Sequence, residues 1–230
     1  MLKANFITAQ EAAEKIQDGS TLCTIGMTLV SASESILKAI EKRFETVGHP
    51  ADITLVHSCG QSDRKDGIQH LAHEGLVKRI IGSHWGLQPR WMEMIANSQV
   101  EAYCLPQGQI AQLYRSMACG LPGKMSKVGL GTFIDPRVEG GKMNDRTKPL
   151  PDIVDILEYS GEEYMFYKEI PLDTVLIRGT VCDEMGNLTT TEEAMKLEVL
   201  PAVLAAKRYG GRVIAQVKQV YSQERSIQRM

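Results

Sequence analysis

The sequence predicts an α/β fold, an open and mostly parallel sheet with helices on both faces. Three observations carry this. Runs rich in β-branched residues alternate with stretches of helical hydrophobic spacing from residue 8 to about residue 131, and again from residue 174. Strands separated by helices need crossover connections, which parallel pairing provides. The 230 residues are 43% hydrophobic and 23% charged, enough apolar material for a proper core and far from a disordered composition.

Taken in order, Thr8 and Glu11 stand at capping-box spacing and open a helix that runs to the Asp18-Gly19 turn. Residues 20–25 (STLCTI) read as a short buried strand. Ser31 and Glu34 repeat the capping-box spacing, and Ile36, Leu37, Ile40 and Phe44 share one face of the next helix, which Gly48-His49-Pro50 ends. Residues 52–57 (DITLVH) form the second strand and residues 78–82 (KRIIG) a third. A helix PRWMEMIAN, a strand VEAYCL, and a helix over residues 109–118 follow; GLPG breaks that helix, and residues 127–133 (KVGLGTF) begin another strand. Residues 135–168 loosen into a glycine-, proline- and charge-rich excursion with short extended pieces, expected as an inserted flap or small subdomain. The alternation resumes with residues 174–179 (TVLIRG), a long helix from about Thr191 to Arg208, and residues 212–217 (RVIAQV). One domain is expected over residues 1–218, with residues 219–230 as a polar tail.

Composition excludes several classes of function. Lys plus Arg number 26 against 28 Asp plus Glu, a net charge of −2, so no global field attracts nucleic acid. No apolar stretch approaches the roughly 20 residues needed to cross a bilayer, and the N-terminus lacks the apolar core of a secretory signal. A cytoplasmic location is expected. The cysteines Cys23, Cys59, Cys104, Cys119 and Cys182 are odd in number and contain no CxxC pair, which argues for reduced, mostly buried thiols and against a zinc cage.

Candidate motifs are weighed against plainer readings. Gly129-x-Gly131 lacks the third glycine and the following helix of a dinucleotide site. Gly123-Lys124-Met125-Ser126 lacks the earlier glycine of a phosphate loop and is better read as a helix-breaking turn. His70-x-x-His73-Glu74 offers two imidazoles without a third ligand at metal spacing, so a surface helix carrying two histidines is expected. No GxSxG elbow is present, and Asp135, Arg137 and Glu139 read as ion-paired loop charges. More informative is a set of glycine-bearing strand ends: Gly26, Gly60, residues 83–86 (SHWG), Pro106-Gln107-Gly108 and Gly129-Leu130-Gly131. In an open parallel sheet such ends line one crevice where ligands bind, and all five are expected to converge there. Gln107, a neutral amide between a strand and a helix, suits an oxyanion hole.

Residues 105–115 (LPQGQIAQLYR), 120–123 (GLPG), 127–144 (KVGLGTFIDPRVEGGKMN), 74–86 (EGLVKRIIGSHWG) and 163–168 (EYMFYK) together resemble the family I CoA-transferases, in particular the single-chain short-chain acyl (acetate or propionate) enzymes. The resemblance extends to about Lys218 and implies the α half of a two-part α/β enzyme. It implies transfer of CoA between an acyl-CoA and a short-chain carboxylate through a glutamyl-CoA intermediate, with coenzyme A thioester as substrate and no further cofactor or metal. The nucleophilic glutamate belongs to the family's β half, so no glutamate here is assigned that role. The resemblance makes Gln107 and Gly108, with Gly129 and Gly131 nearby, part of the oxyanion and acyl pocket, and Gly26, Met27 and Thr28 a CoA or acyl loop. The family's early glycine-rich loop is represented here by residues 26–31 with a single glycine. A β half or subunit and homo- or hetero-oligomerisation are the implied partners. Two rivals stand beside this reading: a sugar-phosphate isomerase on a similar fold, for which residues 58–62 (SCGQS) would be the phosphate loop, and a non-catalytic oligomerising or CoA-binding module.

Overall fold

A computed structural model of the chain describes residues 3–221. Its main sheet takes the order β10-β8-β1-β2-β3-β4, built from β1 (Thr21–Thr24), β2 (Ile53–His57), β3 (Val77–Gly82), β4 (Glu101–Cys104), β8 (Thr174–Asp183) and β10 (Arg212–Tyr221). These six strands are all parallel, and the two-residue β9 (Leu188–Thr189) pairs antiparallel with β8. A separate antiparallel sheet has the order β5-β7-β6, from β5 (Gly123–Ser126), β6 (Val154–Tyr159) and β7 (Glu162–Lys168).

Side-chain alternation along the strands divides the core in two. Leu22, Leu55, Ile80 and Ala102 face a layer made by α1 (Ala9–Glu14), α2 (Glu34–Val47), a 3₁₀ turn (Gly67–Leu71) and α3 (Pro89–Ala96). Cys23, Val56, Ile81 and Tyr103 face α4 (Gln107–Ala118), α5 (Val199–Arg208) and the inner side of the small sheet, including Met165 and Tyr167. Helices therefore cover both faces, as the element order predicts.

Local chemistry explains where elements begin. The Thr8 hydroxyl accepts from the Glu11 N–H at 3.2 Å while the Glu11 carboxylate accepts from the Thr8 N–H at 2.7 Å, completing the capping box of α1. The second expected capping box does not form. Ser33, the residue before α2, gives its hydroxyl to the Ile177 carbonyl (2.8 Å), Ser31 gives its own to the Met195 carbonyl (3.0 Å), and Glu34 accepts from the Gly67 N–H (2.9 Å). Neighbouring segments outcompete the local cap.

Three further expectations are corrected. The long helix begins at Val199, not Thr191, because residues 191–198 cross the sheet end: Glu192 N–H donates to the Thr180 hydroxyl (2.9 Å), Glu193 pairs with Arg178 (3.2 Å), and Leu197 is left-handed. Residues 127–133 are a turn, since Gly129 (φ 101°) and Gly131 (φ 70°) both leave the extended region. The strand lies just before it, at Gly123–Ser126, where the phosphate-loop-like run was expected to be a turn. Gly123 fits because a Cβ there would stand 2.4 Å from the Tyr167 carbonyl oxygen.

The excursion seals the β4 edge. The Ala102 N–H donates to the Thr147 hydroxyl (2.8 Å), the Cys104 N–H to the Gly141 carbonyl (2.7 Å), and the Met143 N–H to the Ala102 carbonyl (3.0 Å). These bonds satisfy ladder groups that would otherwise lie open at an unpaired strand. At the other edge β10 continues to Tyr221, pairing residues 219–221 with β8, so those residues of the expected tail belong to the sheet; residues 222–230 lie outside the described residues.

Candidate active-site crevice

Parallel strands bring the carboxyl ends of β1 to β4 to one side of the molecule, and hydrogen bonds tie the loops that leave them. After β1, Met27 and Val30 exchange backbone hydrogen bonds of 3.0 and 2.9 Å, closing a tight loop. Thr28 (φ 53°) and Ser31 (φ 59°) adopt the left-handed conformation there, a cost of about 1–3 kcal/mol each for residues with a side chain. Gly26 is buried, with Gln61 Oε1 and the Val30 carbonyl oxygen each 3.2 Å from the position of a Cβ. One glycine suffices because close approach is needed only at that point.

The exposed Thr28 donates its N–H to the Gly60 carbonyl at 2.8 Å, joining the β1 loop to the β2 loop. Gln61 strengthens the junction by giving its amide to the Thr24 carbonyl (2.8 Å). The β3 loop joins through Trp85, whose indole N–H donates to His57 Nε2 at 3.2 Å, while His57 Nδ1 pairs with the Cys59 carbonyl at 2.8 Å. Burial, opposed by the bond to Cys59 and helped by nearby His84, pushes the His57 pKa down to about 4, so the ring is neutral at ordinary pH. The β4 end closes the row: the Leu105 N–H donates to the Gly82 carbonyl (2.9 Å) and the Cys104 thiol to the Ser83 carbonyl (3.0 Å).

Gln107 is the first residue of α4, immediately after Pro106. Both Gln107 and Gly108 are exposed, and the Gln107 amide has no hydrogen-bonded partner among the described residues. A helix N-terminus concentrates unpaired N–H donors and partial positive charge, so an amide there adds a mobile donor to fixed ones. Three buried polar atoms at the neighbouring strand ends, Thr24 Oγ1, Gln61 Oε1 and Ser83 Oγ, also lack a partner among the described residues. Together with the exposed Gln107 amide, these atoms are polar groups at the strand ends without a partner among the described residues.

The fifth predicted turn has a different setting. Gly129 and Gly131 pack on the small sheet: the Tyr167 hydroxyl donates to the Val128 carbonyl (2.6 Å) and would stand 2.6 Å from a Gly129 Cβ. The Gly131 N–H donates to the buried Asp135 carboxylate at 2.9 Å, which Arg137 also grips through Nε (3.0 Å) and Nη2 (2.8 Å). The Arg137 guanidinium, with the Gly131 and Arg137 N–H groups, holds the Asp135 carboxyl well below the usual range against the opposing effect of burial. No hydrogen bond among the described residues links this turn to Gln107 or to the other strand ends; its tie to β4 runs through the Gly141 N–H to Phe133 carbonyl bond (2.9 Å).

The two histidines are not on a surface helix. His70 lies in the 3₁₀ turn with its ring between Glu41 at Nδ1 and Glu34 at Nε2 (2.9 Å), with Asp66 at 3.3 Å from Nε2; His73 pairs with Glu41 at 2.8 Å. Glu34, Asp66 and His70 converge closely enough to hold a cation, as do Glu41, Glu45 and His73. Lys38 already bridges Glu34 (3.0 Å) and Asp66 (3.1 Å), and Arg90 meets Glu41 (3.3 Å), so the cluster reads as an ion-pair network with its own cations. Burial alone would lower the His70 pKa, but the bonds to Glu41 and Glu34 outweigh it and raise it.

All five cysteines are free and only Cys119 is exposed. Burial pushes the Cys23 thiol up to about 12 and Cys104 to about 11, far from thiolate reactivity. Trp85 and Gln61 lie in the strand-end runs that the sequence singles out, residues 83–86 and 58–62, whereas His57 was missed as a crevice residue. The run of residues 58–62 was the available signal, but nothing in it announces that the preceding histidine holds a loop from the next strand.

An open parallel sheet covered by helices, with polar groups at the strand carboxyl ends, is an α/β architecture of the kind that takes ligands at those ends. The Coenzyme A transferase family profile matches residues 6–228, and the chain belongs to that family. It is 43% identical over 216 residues to the caffeate CoA-transferase of Acetobacterium woodii, covering 94% of this chain and 41% of that protein. The crystal structure of the acyl-CoA transferase YdiF apoenzyme from Escherichia coli O157:H7 superposes with a TM-score of 0.93 at 34% identity, over 97% of this chain and 44% of that one. The acetate CoA-transferase subunit alpha of Escherichia coli K12 is 26% identical over 204 residues, 89% of this chain and 83% of the subunit. The chain thus spans less than half the length of the first two relatives and most of the length of the separate subunit. Among the described residues no helix is long and apolar enough to cross a membrane.

Proposed function

We propose that this chain supplies the α portion of a short-chain acyl-CoA:carboxylate CoA-transferase, with a β half or subunit contributing the nucleophilic glutamate. Membership of the Coenzyme A transferase family and similarity to an acetate CoA-transferase α subunit support the reaction class over sugar-phosphate isomerisation. In the proposed cycle the β-half carboxylate attacks the thioester carbonyl, forming an acyl-glutamyl anhydride and releasing CoA thiolate. The thiolate then attacks the glutamyl carbonyl, giving glutamyl-CoA and the first free acid. The acceptor carboxylate reverses both steps with its own acyl group. Covalent relay divides one hard exchange into easier ones.

This chain's contribution is to polarise the carbonyl. The observation that carries the reading is Gln107, an exposed amide without a hydrogen-bonded partner among the described residues, at the N-terminus of α4 and the carboxyl end of a parallel strand. Its N–H is free to donate to the carbonyl oxygen as negative charge grows, with the Gln107 and Gly108 backbone N–H groups beside it. Gly26, Met27 and Thr28 form the opposite loop of the crevice and are assigned to the CoA or acyl chain. Gly129 and Gly131 are assigned to the acyl pocket; Leu130, between the two, packs on the core layer to which α4 contributes.

The test is acetyl-CoA/propionate exchange by the purified chain with and without a β partner. Activity is expected only in the pair, and robust turnover by the chain alone would refute the division of roles. In the pair, Gln107→Ala is expected to lower kcat by an amount equivalent to about 2.7–4 kcal/mol while changing KM little. Unchanged kcat would remove Gln107 from the site.

A further inference from the structure

We infer that His57 is a positioning residue of the crevice, a neutral two-sided clamp that holds the loops after β1, β2 and β3 in one arrangement. The inference concerns the site assigned to acyl-CoA above and rests on that reading for its catalytic consequence, though not for its structural one.

The geometry is specific. His57 ends β2 on the same sheet face as Leu55 and is fully buried. With Nδ1 facing a carbonyl and Nε2 facing an indole N–H, only the tautomer protonated at Nδ1 satisfies both, so the ring donates to Cys59 and accepts from Trp85. Burial of the ring keeps it neutral, as that pairing requires; His84 is the titratable side chain beside it. The next residue after Cys59 is Gly60, whose carbonyl receives the Thr28 N–H. One imidazole therefore connects Trp85 of the third loop to the second loop, and through Gly60 to the left-handed Thr28 of the first.

Two glycines make room for the arrangement. A Cβ at Gly82, the last residue of β3, would lie 2.4 Å from His57 Cε1 and Nε2. A Cβ at Gly60 would lie 2.6 Å from His84 Cε1, so the exposed His84 ring rests directly against the clamped loop. Neither position tolerates even an alanine without moving a ring or the loop. No charge is supplied by His57 and no face of it is open to substrate, which distinguishes a positioning role from a catalytic one.

Glutamine and phenylalanine separate hydrogen bonding from volume. His57→Gln keeps one donor and one acceptor, whereas His57→Phe keeps an aromatic ring and loses both. In a Trp91→Phe background, which leaves Trp85 as the single tryptophan, two readouts apply: Trp85 emission and hydrogen exchange of the Thr28 amide. His57→Phe is expected to shift Trp85 emission to the red and to speed Thr28 exchange about tenfold, the order of effect of losing one hydrogen bond. His57→Gln is expected to stay near the parent in both, and Gly82→Ala, which displaces the ring without removing it, to follow His57→Phe. Exchange and emission unchanged in His57→Phe, or equally disturbed in His57→Gln, would overturn the inference. Should His57→Phe not fold, the near-parent behaviour of His57→Gln and the shift in Gly82→Ala carry the same decision. In acetyl-CoA exchange with a β partner, kcat is expected to fall in His57→Phe and be restored in His57→Gln. An inactive parent pair would count against the CoA-transferase reading alone, because emission and exchange judge the clamp without turnover.

Discussion

The network around His70 makes a pH-dependent prediction that can be worked through from the structure. The ring sits between Glu41 and Glu34, with Asp66 at 3.3 Å; Lys38 and Arg90 are the neighbouring cations, and His73 hydrogen-bonds the same Glu41. Its side chain is only 12% exposed, so solvent screens these bonds weakly. Hydrogen bonds to charged groups contribute about 1.5–3 kcal/mol each, and the desolvation of the ring offsets roughly one of the two, which leaves about 2 kcal/mol. The folded-state pKa is raised above the unfolded value. That contribution is therefore fully present below the unfolded histidine pKa of about 6.5 and is lost as pH rises through the higher folded value. Urea denaturation of the parent and of His70→Gln from about pH 5.5 to about pH 9 measures it. The parent is expected to exceed the variant by about 2 kcal/mol at the acid end, with the two curves converging at the alkaline end. A gap that stays constant with pH would refute the protonated bridge, and one that widens with pH would reverse its sign.

Two further outcomes are expected. Asp135→Asn removes the charge that Arg137 and the Gly131 N–H grip, and should destabilise the chain by about 1–3 kcal/mol at neutral pH; because the Asp135 pKa is depressed, the difference should shrink as pH falls through the carboxylate range, as acid denaturation profiles will report. Asn144 donates to the Ile95 and Val100 carbonyls (both 2.9 Å) and accepts from the Thr147 hydroxyl (2.7 Å). Its replacement by alanine should cost about 2–3 kcal/mol in chemical denaturation and expose the β4 edge to faster exchange at the Ala102 amide; protection equal to the parent would contradict the edge-sealing role.

Local signals in the chain determined a good deal. The alternation of strand and helix runs, with Leu22 and Cys23 or Leu55 and Val56 turned to opposite faces, is enough to require a two-faced parallel sheet, because residues on a strand alternate sides whatever packs there. The Thr8 and Glu11 box, the left-handed Gly48 that ends α2, and the placement of Gln107 at the head of α4 are likewise short-range consequences of residue type. Only the tertiary structure decided the rest. Ser31 and Glu34 bond distant segments in preference to their own helix; residues 191–198 give up helical geometry for contacts with Thr180 and Arg178; and Gly129 and Gly131 break a strand pattern to meet Tyr167 and Asp135. His57 joins three loops whose residues span positions 28 to 85. Apart from Asp135, four residues from Gly131, and Cys59, two from His57, these deciding partners lie a dozen or more residues away in the chain, where a polar group must be satisfied by whatever the fold brings within reach. Periodicity reports which face a residue takes; it carries no information about which donor will stand opposite it.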